Sequence, residues 1–122
     1  MELTLDNNRA SWMITSVKPG EIKGNDETIT KSVLISPRQL IANWSVQSFA
    51  DITLDHLQPI AALAPDIVIL GSGHEPHLLP AKLMSFFLEQ GIGIECMNTP
   101  AACRTFNVLM SEGRNAVAGL II

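Results

Sequence analysis

Two stretches of this sequence place polar and reactive side chains directly after apolar runs. The first is Gly71-Ser72-Gly73-His74-Glu75-Pro76, which follows Ile67-Val68-Ile69-Leu70. A glycine loop at a strand end can lay backbone N–H groups against a pyrophosphate. Here Pro76 stands where the third glycine of G-x-G-x-x-G belongs, and helical periodicity resumes only near Pro80, although Glu95 falls about where a ribose-binding acid would sit. The plainer reading is a tight turn at a strand end. Ser72 lacks a nucleophile elbow, because Leu70 occupies the first glycine position of G-x-S-x-G. His74 and His77 are three apart in a proline-bearing loop, whereas a helical zinc pair needs a spacing of four, so no metal is expected and both read as solvated. His56 has no evident partner.

The second stretch is Asn98-Thr99-Pro100-Ala101-Ala102-Cys103-Arg104-Thr105-Phe106-Asn107, where a strand ends and a helix begins. Free N–H groups and the positive end of the helix dipole make an anion site conceivable there. Cys103 lies within about a turn of the helix start and beside Arg104, a setting that favours thiolate, while a Cys on a packed helix face is an inert small hydrophobe. The packed hydrophobe is the default reading and the reactive thiol its alternative. Thr99 is assigned the helix cap, and Thr105 and Asn107 are polar residues that can tie a helix to neighbouring backbone. In a doubly wound sheet both stretches follow strand C-termini and line one edge. The candidate crevice is therefore Gly71, Ser72, Gly73, Asn98, Thr99, Cys103, Arg104 and Asn107, with no complete catalytic set and no cofactor implied.

The elements that must position these residues are clearest from Pro65 onward. The run Ile67–Leu70 reads as a strand buried on both faces. Pro80 suits a first helical position, with Leu79, Leu83, Phe86 and Phe87 on one face and Gly91 as the stop. Ile92 to Met97 gives a second strand. The next helix buries Ala102, Phe106, Leu109 and Met110 and closes at Gly113, and Ala116 to Ile122 is a last strand. The order strand, helix, strand, helix, strand defines an α/β layer. Earlier, Trp12 to Val17 and Thr28 to Ile35 have strand composition and are expected to extend the same sheet, with Lys18 to Thr30 as turns. Thr53 is positioned to cap a short helix through Leu54, Leu57, Ile60 and Ala61 that Pro65 ends.

Composition limits the classes of function. At ~150 residues per domain, 122 residues make one domain spanning 1–122. The formal net charge of -4 has the wrong sign for nucleic acid or anionic lipid. Mean hydropathy is +0.25, yet no apolar run approaches the ~20 residues of a membrane span. Cys96 and Cys103 match neither a redox pair nor a zinc ribbon. The acidic opening Met1-Glu2-Leu3-Thr4-Leu5-Asp6 lacks the layout of a secretory signal, so a cytoplasmic protein is expected.

Gly91-Ile92-Gly93-Ile94-Glu95-Cys96-Met97-Asn98-Thr99, followed by Ala101-Ala102-Cys103-Arg104-Thr105-Phe106-Asn107-Val108-Leu109, resembles domain-of-unknown-function family 498, which includes mitochondrial complex I assembly factor 3. Ile69-Leu70-Gly71-Ser72-Gly73 resembles the family's G-T-G strand end. Ser32-Val33-Leu34-Ile35, Pro37 and Trp44 resemble its amino-terminal half, so the likeness covers essentially the whole chain. It implies a three-layer α/β sandwich with a mixed central sheet, and no known activity. Asn98 stands where Asp is common in the family and Phe106 where Tyr is common, which removes a carboxylate and a phenol from any acid–base proposal. The short chain without a presequence suggests a prokaryotic member.

Two functional readings follow. By resemblance, the chain is a non-enzymatic interaction or assembly factor with a protein partner. The alternative is a small-molecule or anion-binding domain, thiol-dependent if Cys103 is reactive, with its crevice near Gly71 and Thr99.

Overall fold

The computed structural model describes residues 12–122, and the opening Met1 to Asp6 lies outside the described residues. Its central sheet follows directly from two apolar runs. Strands β6 (Ile67–Ser72) and β8 (Ala116–Ile121) lie side by side and parallel. Val68, Ile69 and Leu70 on one and Ala116, Val117, Ala118 and Leu120 on the other have no solvent exposure. Residues alternating to both faces are all apolar because both faces are covered. Strand β7 (Gly93–Met97) extends the parallel part beyond β6, while β4 (Val33–Ile35) pairs antiparallel with β8 and with β5 (Leu40–Ile41). The order β5-β4-β8-β6-β7 is the expected mixed sheet.

Helices α1 (Leu54–Ala62) and α2 (Ala81–Leu88) cover one face. There Leu57, Ile60 and Phe87 pack with Leu34, Val68, Leu70 and Val117, joined by Trp44 and Phe49 from the segment leading to α1. Helix α3 (Thr99–Ser111) covers the other, burying Ala102, Phe106, Leu109 and Met110 against Ile35, Ile69, Ala118 and Leu120. The sequence spacing thus places these side chains as expected, and the three layers are formed. Gly91 (φ +75°) and Gly113 (φ +72°) follow the ends of α2 and α3 in the left-handed region. Arg114 N–H reaches back to the Leu109 carbonyl at 2.9 Å in the manner of a glycine C-cap. Pro80 is the N-cap of α2, one residue before the position expected for it. Among the described residues no helix is long and apolar enough to cross a membrane.

The amino-terminal half departs from expectation. Strand β1 (Ile14–Lys18) does not extend the main sheet; with β2 (Glu21–Gly24) and β3 (Glu27–Ile29) it forms a separate antiparallel meander. Lys18 to Thr30 therefore holds strands as well as turns. The hairpin tips explain the polar composition: Gly20 has φ +80°, and Asn25 (φ 47°) with Asp26 (φ 66°) supply the two positive values of a tight β2–β3 turn. The stretch Thr28 to Ile35 is divided between the sheets. Ile29 buries with the meander under α3, whereas Val33, Leu34 and Ile35, all inaccessible or nearly so, insert beside β8. Polar Thr30-Lys31-Ser32 carries the chain from one sheet to the other.

Candidate functional site at the strand-end edge

The C-terminal ends of β6 and β7, the start of α3 and the end of β8 meet at one edge, held together by Thr99. Its Oγ1 accepts the Gly73 N–H at 2.8 Å and donates to the Ile121 carbonyl at 2.5 Å, while its own N–H donates to the Gly73 carbonyl at 2.9 Å. The hydroxyl is thus committed to the loop that follows β6 and to the end of β8 rather than to the helix. Asn98 is the N-cap instead, its Oδ1 accepting the Ala101 N–H at 2.9 Å. Thr99 as cap is corrected accordingly: two adjacent residues could each cap, and tertiary bonds draw Thr99 one position into the helix.

Gly71 belongs to this joint. A Cβ there would lie 2.9 Å from Thr99 Oγ1, 3.0 Å from Thr99 Cα and 3.0 Å from Leu120 Cδ2. The glycine admits close approach of another chain segment. Ser72 is buried, its Oγ lying 2.6 Å from the Glu75 carbonyl and 3.1 Å from the Met97 carbonyl, and it accepts the His77 N–H at 3.2 Å. A hydroxyl so engaged is a clamp on the loop, not an available nucleophile.

The first turn of α3 retains no idle donor. Thr99 N–H is bonded to Gly73, Pro100 has none, Ala101 N–H is capped by Asn98, and Ala102 N–H meets the Asn98 carbonyl at 2.9 Å. An anion arriving there would have to displace an internal partner. In β6, the loop Gly73 to Pro80 intervenes before α2, so its glycines do not open into a helix start.

Cys103 faces the core, 1% exposed among Ile69, Phe106 and Leu120. Burial pushes its thiol up to about 12 and outweighs the opposing pull of Arg104. That setting fits the packed hydrophobe and works against a thiolate. Burial also raises the Cys96 thiol, with a backbone bond from Leu79 acting the other way. Arg104 is exposed on the outer side of α3. Asn107 points to the meander, where its carboxamide bonds both backbone groups of Ile14. Thr105 Oγ1 lies 3.3 Å from Met97 Sδ, and Phe106 is fully buried, away from the edge.

The eight residues proposed from sequence therefore do not line one crevice. Gly73 and Thr99 contribute to a cleft of about 560 Å³ against the β1–β2 turn, and Ser72 to a second of about 550 Å³ on the other side of Ile121. Among the described residues no cluster of three His, Cys, Asp or Glu could hold a metal. His74 borders the first cleft, whereas His77 stacks on Phe49 at a ring separation of 5.9 Å beside the second. His56 has partners after all: its Nδ1 accepts the Thr53 N–H at 2.9 Å, and its carbonyl accepts Trp44 Nε1–H at 3.0 Å. Sequence reasoning missed the wall formed by Val17–Gly20 and Ile22, for which the apolar Val17 before Pro19-Gly20 was the available signal.

This architecture is shared with a Bordetella pertussis protein described as a Mth938-like domain, 32% identical, with a TM-score of 0.81 over 92% of this chain and 86% of that one. A crystal structure from Bordetella parapertussis matches with a TM-score of 0.87 and 38% identity, covering 92% of this chain and 96% of that one. The chain belongs to the family described as Protein of unknown function (DUF498/DUF598), whose model matches residues 14–121. It is also 33% identical, over 92% of its length, to a Danio rerio protein named NADH dehydrogenase (ubiquinone) 1 alpha subcomplex assembly factor 3. The match covers 65% of that relative's length.

Proposed function

We propose that this chain is an assembly-factor-like protein that acts through contact with a protein partner, as a single cytoplasmic domain. The observation carrying this reading is the 33% identity with a named assembly factor across 92% of the chain. The site chemistry is in keeping with it. Ser72, Asn98, Thr99 and Asn107 each hold backbone groups of the fold itself, at distances of 2.5–3.2 Å. Side chains committed in this way hold the fold together; they are not poised over a reacting atom.

The experiment is removal of the protein from its host, followed by native-gel quantification of assembled NADH dehydrogenase. The expected outcome is less assembled complex, restored by the wild-type chain, together with co-purification of the same complex subunits on the tagged protein. An unchanged amount of complex overturns the reading.

A further inference from the structure

The main sheet ends in two edge strands of unequal length: β5 has two residues, whereas β7 has five and no Pro. Gly93 N–H bonds the Asp66 carbonyl at 3.0 Å, and from there the parallel register on β6 runs unshifted to Met97 opposite Gly71. Alternate residues of a parallel strand direct their backbone groups to the same neighbour, so Gly93, Glu95 and Met97 serve β6. The N–H and C=O groups of Ile94 and Cys96 therefore point away from the sheet. Among the described residues no partner meets them, in contrast to β1, where Asn107 satisfies both backbone groups of Ile14.

Ile94 and Cys96 turn their side chains to the α2 layer, and Glu95, between them, turns to the α3 side with Met97. Glu95 is exposed and forms no ion pair among the described residues. A strand laid antiparallel along β7 would exchange hydrogen bonds with Ile94 and Cys96. Its residue opposite Glu95 would then sit at the closer, non-hydrogen-bonded spacing, where an opposite charge stabilises and a like charge destabilises. Two copies of β7 overlap over all five residues only when their dyad falls at Glu95, which sets two carboxylates face to face. The edge thus disfavours its own copy and favours a cation, as does the net charge of -4.

We propose that the β7 edge docks an extended segment of a protein partner, one with Lys or Arg opposite Glu95 and an apolar residue on either side of that cation. The segment adds a strand to the five-stranded sheet, held by main-chain bonds to Ile94 and Cys96 and aligned by Glu95. Its apolar residues lie beside Ile94 and the half-buried Cys96. This rests on the protein-contact reading above and names the surface and the chemistry of that contact.

The test is an amide NMR titration of the full chain with the blocked peptide Thr-Val-Lys-Val-Thr, using Thr-Val-Glu-Val-Thr as the reversed charge. The Lys peptide is expected to shift the Ile94 and Cys96 amides saturably, to slow their hydrogen exchange, and to bind about fivefold more tightly than the Glu peptide. Glu95→Lys, at an exposed position, should invert that preference. Cys96→Pro removes one outward N–H without touching the β6 ladder and should abolish binding while the β6 and β8 amides stay native. Absence of shifts at Ile94 and Cys96, equal binding of the two peptides, or an unchanged preference in Glu95→Lys overturns the assignment. So does perturbation of the β7 amides by protein concentration alone, which would place a second copy on the edge. In the host, Glu95→Lys and Cys96→Pro chains that restore complex assembly as well as wild type would remove the partner from this edge and leave the assembly reading standing. Assembly unchanged by loss of the whole chain would overturn that reading alone, and the titration still decides the edge.

Discussion

Asn107 closes a ring of two hydrogen bonds with the backbone of Ile14: its Nδ2 donates to the Ile14 carbonyl at 2.7 Å, and its Oδ1 accepts the Ile14 N–H at 2.9 Å. A carboxamide is a peptide group in miniature, so the side chain of a helix residue takes the part of a neighbouring strand. It satisfies the outer edge of β1 where the pairing with β2 shifts register between Ile14 and Ser16. The meander is thereby locked to α3 by polar bonds as well as by Trp12, Ile14 and Ile22 in the shared core.

Replacing Asn107 with Ala should cost about 1–3 kcal/mol, because both backbone groups of Ile14 lose partners in a part-buried site. Asn107→Asp should be at least as damaging, since a carboxylate oxygen would then face the Ile14 carbonyl. Urea unfolding measures both. A cost near zero for Asn107→Ala would show that the meander is held by apolar packing alone.

At the neighbouring joint, Thr99→Val removes only the hydroxyl and leaves the Gly73 N–H and the Ile121 carbonyl unmatched, for an expected loss of about 1–3 kcal/mol. Thr99→Ser should retain most of the stability. Asn98→Ala, the true cap deletion, should cost about 0.5–2 kcal/mol. Equal midpoints for the Val and Ser variants would contradict the role given to the hydroxyl.

Gly71→Ala places a methyl 3.0 Å from the Thr99 Cα, a backbone atom that cannot rotate away. Overpacking of this kind costs about 1–3 kcal/mol. Thermal unfolding should show a clear drop in Tm, and an unchanged Tm would mean that β6 and α3 separate freely.

Cys103 gives a signed pH dependence. Its thiol ionises near 9.0 when exposed and at about 12 in the fold, so between these values the native state binds more protons than the unfolded one. Stability should therefore be unaffected by this group below pH 9 and fall as pH rises toward 12, by up to about 1.4 kcal/mol per pH unit. Cys103→Ala should flatten the decline, leaving a part due to Cys96, which burial raises in the same direction. Native protein should also alkylate at Cys103 only after unfolding; rapid labelling at neutral pH would refute the buried thiol.

Ala64 terminates α1 at φ 52°, a left-handed conformation strained for a residue with a Cβ. Ala64→Gly should stabilise by about 0.5–1 kcal/mol after the added entropy of the unfolded glycine is subtracted. The bond from Asn115 Nδ2 to the Ala64 carbonyl at 2.9 Å can remain. A loss of stability in urea unfolding would argue against strain there.

The carboxyl-terminal half was legible because β6, α2, β7, α3 and β8 each carry a single unbroken pattern. Leu83, Phe86 and Phe87 repeat at helical spacing, and Ile67–Leu70 is apolar throughout. The meander resisted reading because its strands are short and mostly wet: in Glu21–Gly24 only Ile22 and Gly24 are buried, and an Ile between charged residues resembles a turn. Thr28 to Ile35 has uniform strand composition, and nothing in composition marks the change of sheet at Thr30-Lys31-Ser32. At the edge, sequence correctly brought Gly73 and Thr99 together, but hydroxyl and carboxamide types do not reveal whom they bond. The sequence marks Asn107 as a residue able to tie a helix to backbone, and its partner Ile14 is visible only in three dimensions.

Strand β8 sits between β4 and β6, which do not pair with one another. Both flanking strands precede it in the sequence, so a chain emerging from the ribosome holds two exposed apolar edges with a missing rung between them. The sheet can close only when residues 116–121 slot in, and that late insertion joins segments more than eighty residues apart at Val33 and Leu120. Such long-range closure slows folding and prolongs exposure of sticky edges. Until β8 is in place, the facing β4 and β6 edges have no partner in this sheet.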